Sequence, residues 1–174
     1  AVDEIENNDW EGLVIGNGAE NFSVGANLML VLGAAKQDQW GEIESMINDL
    51  QQAHQRLRFS WKPVVTAPAG MALGGGCEVM MAGNAVQAAA ESYIGLVEVG
   101  VGLIPGGAGN LQLLRNLFGR HSDNADLAVP LQIVQGAFMS IGMGKVATSA
   151  EEAREMGFLN LTDGVSLNRD HRIS

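Results

Sequence analysis

Two glutamates and two glycine-bearing turns carry what chemistry this sequence can offer. Glu78 stands in GGGCEVMMAG and Glu98 in GLVEVGVGLIPGG, each among aliphatic neighbours. A carboxylate in such company is costly to bury, so it needs a partner, a raised pKa or a task. Two such groups can divide acid and base work across a double bond, one activating water and the other exchanging a proton with carbon. The turns supply a complementary feature. Gly74, Gly75 and Gly76 lead into a helical run, where the first amide hydrogens lack intrahelical acceptors and the missing Cβ atoms let a ligand oxygen come close. FSVGANL, residues 22 to 28, brings a second turn at Gly25-Ala26. Together the turns could offer a two-donor oxyanion hole to a carbonyl that becomes enolate-like, each donor contributing on the order of 100-fold in rate. Taken alone, three glycines before a helix read as a tight strand-to-helix connection. Their coincidence with two carboxyl groups in apolar company gives the functional reading.

Other chemistries find less support. His54, His121 and His171 are isolated in polar or helical surroundings and read as surface residues, so no Ser/His/Asp or metal-ligating set can be assembled, and no metal is expected. Ser23 has no base nearby and lies in no nucleophile elbow. No GxGxxG follows the first apolar run and no GxxxxGK[ST] occurs, which removes motif support for nucleotide binding. The single Cys77 excludes an internal disulfide or a cysteine zinc cluster and reads as a small buried thiol. With 20 acidic against 10 basic residues the net charge is −10, which repels phosphate backbones, so nucleic acid is not expected as a partner. No apolar run nears the ~20 residues a membrane span needs. The acidic opening AVDEIENNDWEG is unlike a signal peptide, and the chain reads as cytoplasmic.

The elements that must position these residues follow from the apolar pattern. A chain of 174 residues, 47% hydrophobic with 23 Gly, suits one domain with a real core over residues 1–174. GLVIG, Gly12 to Gly16, reads as a strand buried on both faces, and Val64 to Ala67 as a second. Between them Trp40, Ile43, Met46, Ile47, Leu50, Ala53 and Leu57 share one helical face, ended by Lys62-Pro63. Ala85 to Ala90 and Tyr93 to Leu96 read as further short strands. Gly106 to Gly109 opens a helix NLQLLRNLF, with Pro105 at its start. Residues Arg120 to Val129 read as a loop. Ser149 with Glu151 and Glu152 caps a last helix that runs to Met156 and stops at Gly157. Strands alternating with helices predict an α/β fold with a largely parallel sheet. The opening without Met, on what reads as a helix tail, and the ending at NRDHRIS predict neighbouring sequence at both ends.

At this point the residues resemble the crotonase, or enoyl-CoA hydratase/isomerase, superfamily. FSVGANL is similar to its F-[SA]-x-G-A-D-[LI] segment. KPVVTAPAGMALGGGCEVMMAGNAVQAA is similar to its KP-[VI]-[VI]-A-x-x-x-G-x-A-x-G-G-G-C-E-L stretch, and IGLVEVGVGLIPGGAG to its F-G-x-P-E-x-x-x-G-x-x-P-G-x-G-G segment. The likeness runs from about residue 12 to 118, in the family's order. Asn27 stands where the family has Asp, Val97 where it commonly has Pro, and GGAGN where GxGGTQ is familiar.

The resemblance implies a crotonase-like spiral of ββα units, truncated at both ends. It implies an oxyanion hole from the amides of Ala26 and Gly75, with Glu78 and Glu98 at the two catalytic positions of hydratases. Substrate contacts are implied for Ala26, Asn27, Leu28, Met29, Gly74 and Gly75. Glu78 would position and deprotonate water and Glu98 would exchange the proton on carbon 2, separately or in concert. The eight methionines, Met29, Met71, Met80 and Met81 among them, read mainly as core filler, and a few of the eight could line an adaptable acyl pocket. The implied activity is hydration of 2-enoyl-CoA to 3-hydroxyacyl-CoA in fatty-acid β-oxidation, with CoA as part of the substrate and no cofactor bound by this domain. Δ3,Δ2-enoyl-CoA isomerase and a silent acyl-CoA-binding portion are the alternatives. The tail KVATSAEEAREMGFLNLTDGVSLNRD is most similar to the hydratase part of bacterial multifunctional 3-hydroxyacyl-CoA dehydrogenases. NAD is then expected only in a dehydrogenase portion outside these residues, and the partners expected are other domains of a longer chain or further copies in a homo-oligomer.

Overall fold

Short apolar runs bounded by turn residues become strands of two to five residues, which the chain deals to two sheets, alternately from β2 to β5. The computed structural model describes residues 1–120 and 128–168. In chain order the elements are α1 (Val2–Asn7), β1 (Leu13–Ile15), α2 (Leu28–Lys36), α3 (Trp40–Arg58), β2 (Val64–Thr66), β3 (Met71–Leu73) and α4 (Gly75–Ala82). There follow β4 (Ala85–Ala89), β5 (Tyr93–Gly95), a 3-10 turn (Glu98–Val101), α5 (Gly109–Gly119), α6 (Ala128–Gly142), β6 (Val146–Ala147), α7 (Ala150–Met156) and β7 (Gly164–Ser166). One sheet has the order β1-β2-β4-β7 and the other β3-β5-β6. Every pairing is parallel except β5 with β6.

The expected spiral is visible in this alternation. β2 enters the larger sheet, β3 the smaller, and α4 follows; β4 and β5 repeat the step before the 3-10 turn and α5. The turn before it is abbreviated: β1 lies in the larger sheet, and Ser23 makes only a parallel bridge to Ala72 before α2 and α3. α4 is apolar nearly all round, which makes it a buried helix rather than a surface one. Gly76, Cys77, Glu78, Met80, Met81 and Ala82 are all buried, and the helix is enclosed by α3, α5 and the strands beside it. That position carries Glu78 into the interior. Met80, Ile94, Leu96, Leu113 and Phe158 are at most 1% exposed at the centre of the core, and burying a side chain of this size contributes about 1.5–3 kcal/mol.

Several expectations need correction. β1 is an edge strand with Val14 at 54% exposure, so it is not buried on both faces. Pro105 lies four residues ahead of α5, whose N-cap is Ala108. The apolar segments Leu28–Lys36 and Ala128–Gly142 are helices that the periodicity reading did not recognise. Of the stretch read as a loop, residues 121–127 lie outside the described residues, and its last two positions already belong to α6. The last helix is as expected: Ser149 Oγ accepts from the Glu152 amide, and Gly157 ends it in the left-handed conformation.

Candidate active site

A cleft of about 420 Å³ opens between α3 and the turns at Gly74 and Glu98. Ile43, Met46, Ile47 and Leu50 form one wall, Val97, Val101, Leu103 and Ile104 another, and Gly25, Ala26, Gly74, Gly75, Glu78 and Glu98 reach it between them. Ile43, Met46, Ile47 and Leu50 of the apolar stripe on α3 thus line this cavity. A wider depression of about 800 Å³ on α3, around Trp40, Glu44 and Gln51, is shallow and reaches neither Glu78 nor Glu98.

Backbone geometry brings the two turns side by side. The Ser23 amide donates to Met71 O at 3.0 Å and the Leu73 amide to Ser23 O at 2.9 Å, and the strand-like pairing stops there. Gly25 then turns with φ +94, a conformation that a side chain would strain, and a Cβ on it would lie 3.1 Å from the Gly75 nitrogen. At Gly76 a Cβ would fall 2.2 Å from Ser23 O, so only glycine lets the start of α4 pack this closely. Gly75 is the first residue of α4 and its amide has no intrahelical acceptor. Among the described residues neither the Ala26 nor the Gly75 amide donates to any acceptor. Two residues with unspent amides therefore line one cleft. Asn27 lines it too, while its side chain caps α2 by accepting from Met29 N at 3.1 Å. Leu28 joins the wall. Met29 does not: it points outward at 73% exposure.

Glu78 is 3% exposed. Its Oε1 accepts from the amides of Gly107 at 2.8 Å and Gly109 at 2.9 Å. Between them Ala108 sits at φ +78, a left-handed geometry that aims the flanking amides at one point and forms an anion-binding nest. For a residue with a Cβ such a conformation costs on the order of 1 kcal/mol, a strain typical of functional sites. Burial raises the Glu78 pKa, and the amides of Gly109 and Gly107 pull it part of the way back.

Glu98 is in a different state. It opens the 3-10 turn, and a Cβ built on Gly74 would lie 3.5 Å from its Oε1, which places it against the N-cap of α4. Both carboxyl oxygens are buried and have no hydrogen-bond partner among the described residues. Burial raises its pKa first; its own amide and that of Val97 act against this without reaching hydrogen-bond geometry, and the negative charge of Glu78 raises it further. A carboxyl so placed holds its proton to higher pH than an ordinary glutamate. Cys77, next to Glu78 on α4, is fully buried with its thiol pKa pushed well up by burial and by the charges of Glu98 and Glu78, as expected of an inert core thiol.

One residue corrects the sequence reading. His54, expected on the surface, is 4% exposed, and its Nδ1 lies 2.6 Å from Gly107 O. The signal was present, because His54 follows Leu50 by four and Ile47 by seven and so continues the apolar stripe of α3. His121 and His171 lie outside the described residues. No group of three or more His, Cys, Asp or Glu among the described residues could hold a metal ion, and no described helix is long and apolar enough to cross a membrane.

Comparisons with known proteins show the family and the fold. A family model described as enoyl-CoA hydratase/isomerase matches residues 1–162. A protein of Bacillus subtilis named "Probable 3-hydroxyacyl-CoA dehydrogenase" is 46% identical over 170 residues, covering 98% of this chain and 21% of its own length. The chain thus spans about a fifth of that relative. The crystal structure of an enoyl-CoA hydratase from Thermoplasma volcanium superposes with TM-score 0.74 at 26% identity, over 97% of this chain and 58% of that one. An enoyl-CoA hydratase structure from Geobacillus kaustophilus reaches TM-score 0.78 at 19% identity over 99% of this chain and 57% of its own, a likeness of fold.

Proposed function

The chain belongs to the enoyl-CoA hydratase/isomerase family, and we propose that within it this chain is a hydratase, adding water reversibly to 2-enoyl-CoA. The observation that carries the reading is the pair of unlike carboxyl groups on one cleft with two unspent amides. In the proposed step the Ala26 and Gly75 amides donate hydrogen bonds to the thioester oxygen as negative charge builds on it. Glu78, its Oε1 held by two amides, uses Oε2 to take a proton from water as the water oxygen bonds to carbon 3. The electron pair of the double bond passes towards the thioester oxygen, and the protonated Glu98 gives its proton to carbon 2. One water is added, and a proton returning from Glu78 to Glu98 through solvent or substrate restores both groups. No electron changes hands, so the step needs no redox cofactor, and its charge is met by the two amides without a metal being assigned to it.

The acyl-CoA substrate, a cytoplasmic setting and a role in fatty-acid β-oxidation belong to the same proposal. NAD and a dehydrogenase step would belong to other parts of a longer polypeptide, as the name of the Bacillus relative suggests for that protein; association into a homo-oligomer is part of the proposal too. The test offers the full-length protein a 2-enoyl-CoA and a 3-enoyl-CoA separately. Formation of 3-hydroxyacyl-CoA from the first is expected. Turnover of the 3-enoyl substrate alone would make the chain an isomerase, and thioester binding without turnover of either would reduce it to a binding domain.

A further inference from the structure

Glu78 is held by a loop, and the loop is itself held by α3. We infer that His54 is a positioning residue for Glu78, fixing through Gly107 the loop whose amides grip the carboxyl; the inference rests on the reading of Glu78 as the group that activates water. A carbonyl only accepts, so the 2.6 Å contact to Gly107 O puts the ring hydrogen on Nδ1. The Gly107 amide meanwhile donates to Glu78 Oε1 at 2.8 Å. Residue 107 is thus held at its carbonyl by His54 and at its amide by Glu78. One turn earlier on α3, Gln51 Nε2 donates to Gly106 O at 2.7 Å. Two successive turns of one helix therefore grip the loop, the His54 bond buried and the Gln51 bond exposed.

Two further observations fit a role beyond packing. With its hydrogen on Nδ1, the His54 ring leaves Nε2 as a bare acceptor, and that atom is buried with no partner among the described residues. Such a group costs about 1–3 kcal/mol, so an apolar side chain would fill the space more cheaply. A Cβ on Gly107 would lie 2.6 Å from Glu78 Oε2 and 2.8 Å from both His54 Nδ1 and Cε1. The ring and the second carboxyl oxygen therefore flank the same point, and His54 helps fix where the unbound oxygen of Glu78 stands. The titratable groups around this carboxyl are His54 from α3, Cys77 from α4 and Glu98 from the 3-10 turn. Burial lowers the His54 pKa against the opposing effect of the Gly107 bond, so the ring is neutral near pH 7 and acts by geometry rather than charge.

The test compares His54→Leu, His54→Asn and His54→Gln in the full-length protein. Asn places its amide donor near the position of Nδ1 and Gln places it near Nε2, so the two are matched in polarity but only one keeps the bond. The expected result is a kcat for hydration about 10- to 100-fold lower for Leu and Gln, with KM within about twofold, and substantial recovery for Asn. The acid limb of the pH profile should move upward in Leu and Gln and return in Asn, because a released loop no longer lowers the Glu78 pKa. Titration of the Glu78 carboxyl by carbon NMR should move in the same way, and this readout remains valid if the wild-type protein hydrates no enoyl-CoA and the proposed function fails. Equal behaviour of Asn and Gln, or an unmoved Glu78 titration in Leu and Gln, would overturn the inference. If the Leu variant does not fold, the Asn and Gln pair decides the matter.

Discussion

Glu78 and Glu98 are the same side chain turned towards one cleft, and their surroundings treat them in opposite ways. The first grows from a helix enclosed on all sides and finds a nest of two amides waiting for one of its oxygens. The second begins a short 3-10 turn whose later residues, Val99 and Val101, are 42% and 54% exposed, and neither of its oxygens is bonded. Oriented hydrogen-bond donors favour a charged carboxylate in a fixed place, whereas burial without donors favours a neutral acid. One fold can thus run base and acid chemistry with a single residue type by changing what surrounds it. The proposed base thus stands on an enclosed helix and the proposed acid at the start of a half-exposed turn.

The sharpest way to break this contrast is to remove the charge at each position. Glu78→Gln and Glu98→Gln should each slow hydration by about 100- to 10,000-fold, the range that acid–base groups contribute, with circular dichroism unchanged. If either variant kept most of the rate, the two-carboxyl scheme would reduce to one group. A smaller effect tests the difference in rigidity. Gly107→Ala must displace either Glu78 Oε2 or the His54 ring, each within 2.8 Å of the new methyl, and should cost about 1–3 kcal/mol of stability. Gly100, in the turn that Glu98 opens, has open space where a Cβ would go, so Gly100→Ala should stay within about 0.5 kcal/mol of the wild type in denaturant titrations. Comparable losses at the two glycines would mean that the Glu98 turn is as tightly built as the Glu78 loop.

The same contrast explains what could be read in the sequence. Glu78, Glu98, Ala26 and Gly75 lie in short local patterns in which residue type and spacing suffice, and the structure places all four on one cleft. β2, β4, β5, α3 and α7 were legible because their periodicity or capping is local. α2 and α6 were not, since LMLVLGAAK and AVPLQIVQGAFMSIG are apolar almost throughout and show no contrast between faces. β1 misled in the opposite sense: an apolar run shows that a strand can be buried but not which neighbours the sheet will provide. The burial of His54 was legible in its place on the α3 stripe, but its bond was not, because its partner, Gly107, lies 53 residues away and no local pattern shows a distant carbonyl.

The smallest effect is the most specific to the contrast, and it is a stability effect with a sign. In the folded protein the pKa of Glu98 lies above its ordinary value of 4.5, with burial as the main cause. Below that value the carboxyl is protonated whether the chain is folded or not, and it imposes no ionic penalty. As the pH rises through the folded pKa, the unfolded chain ionises first and the folded state loses stability, a loss that is complete above the folded value. Glu98→Gln cannot ionise, so its stability relative to wild type should grow as the pH rises above about 4.5 and level off once the folded pKa is passed, as read in urea titrations, while its activity is lost. Glu78 is also shifted upward, but its two amides recover part of the cost of ionisation. Glu78→Gln should therefore show a shallower change over the same range. A steeper change at residue 78 would mean that the nest around Ala108 does not favour the charged form, and the assignment of Glu78 as base and Glu98 as acid would have to be exchanged.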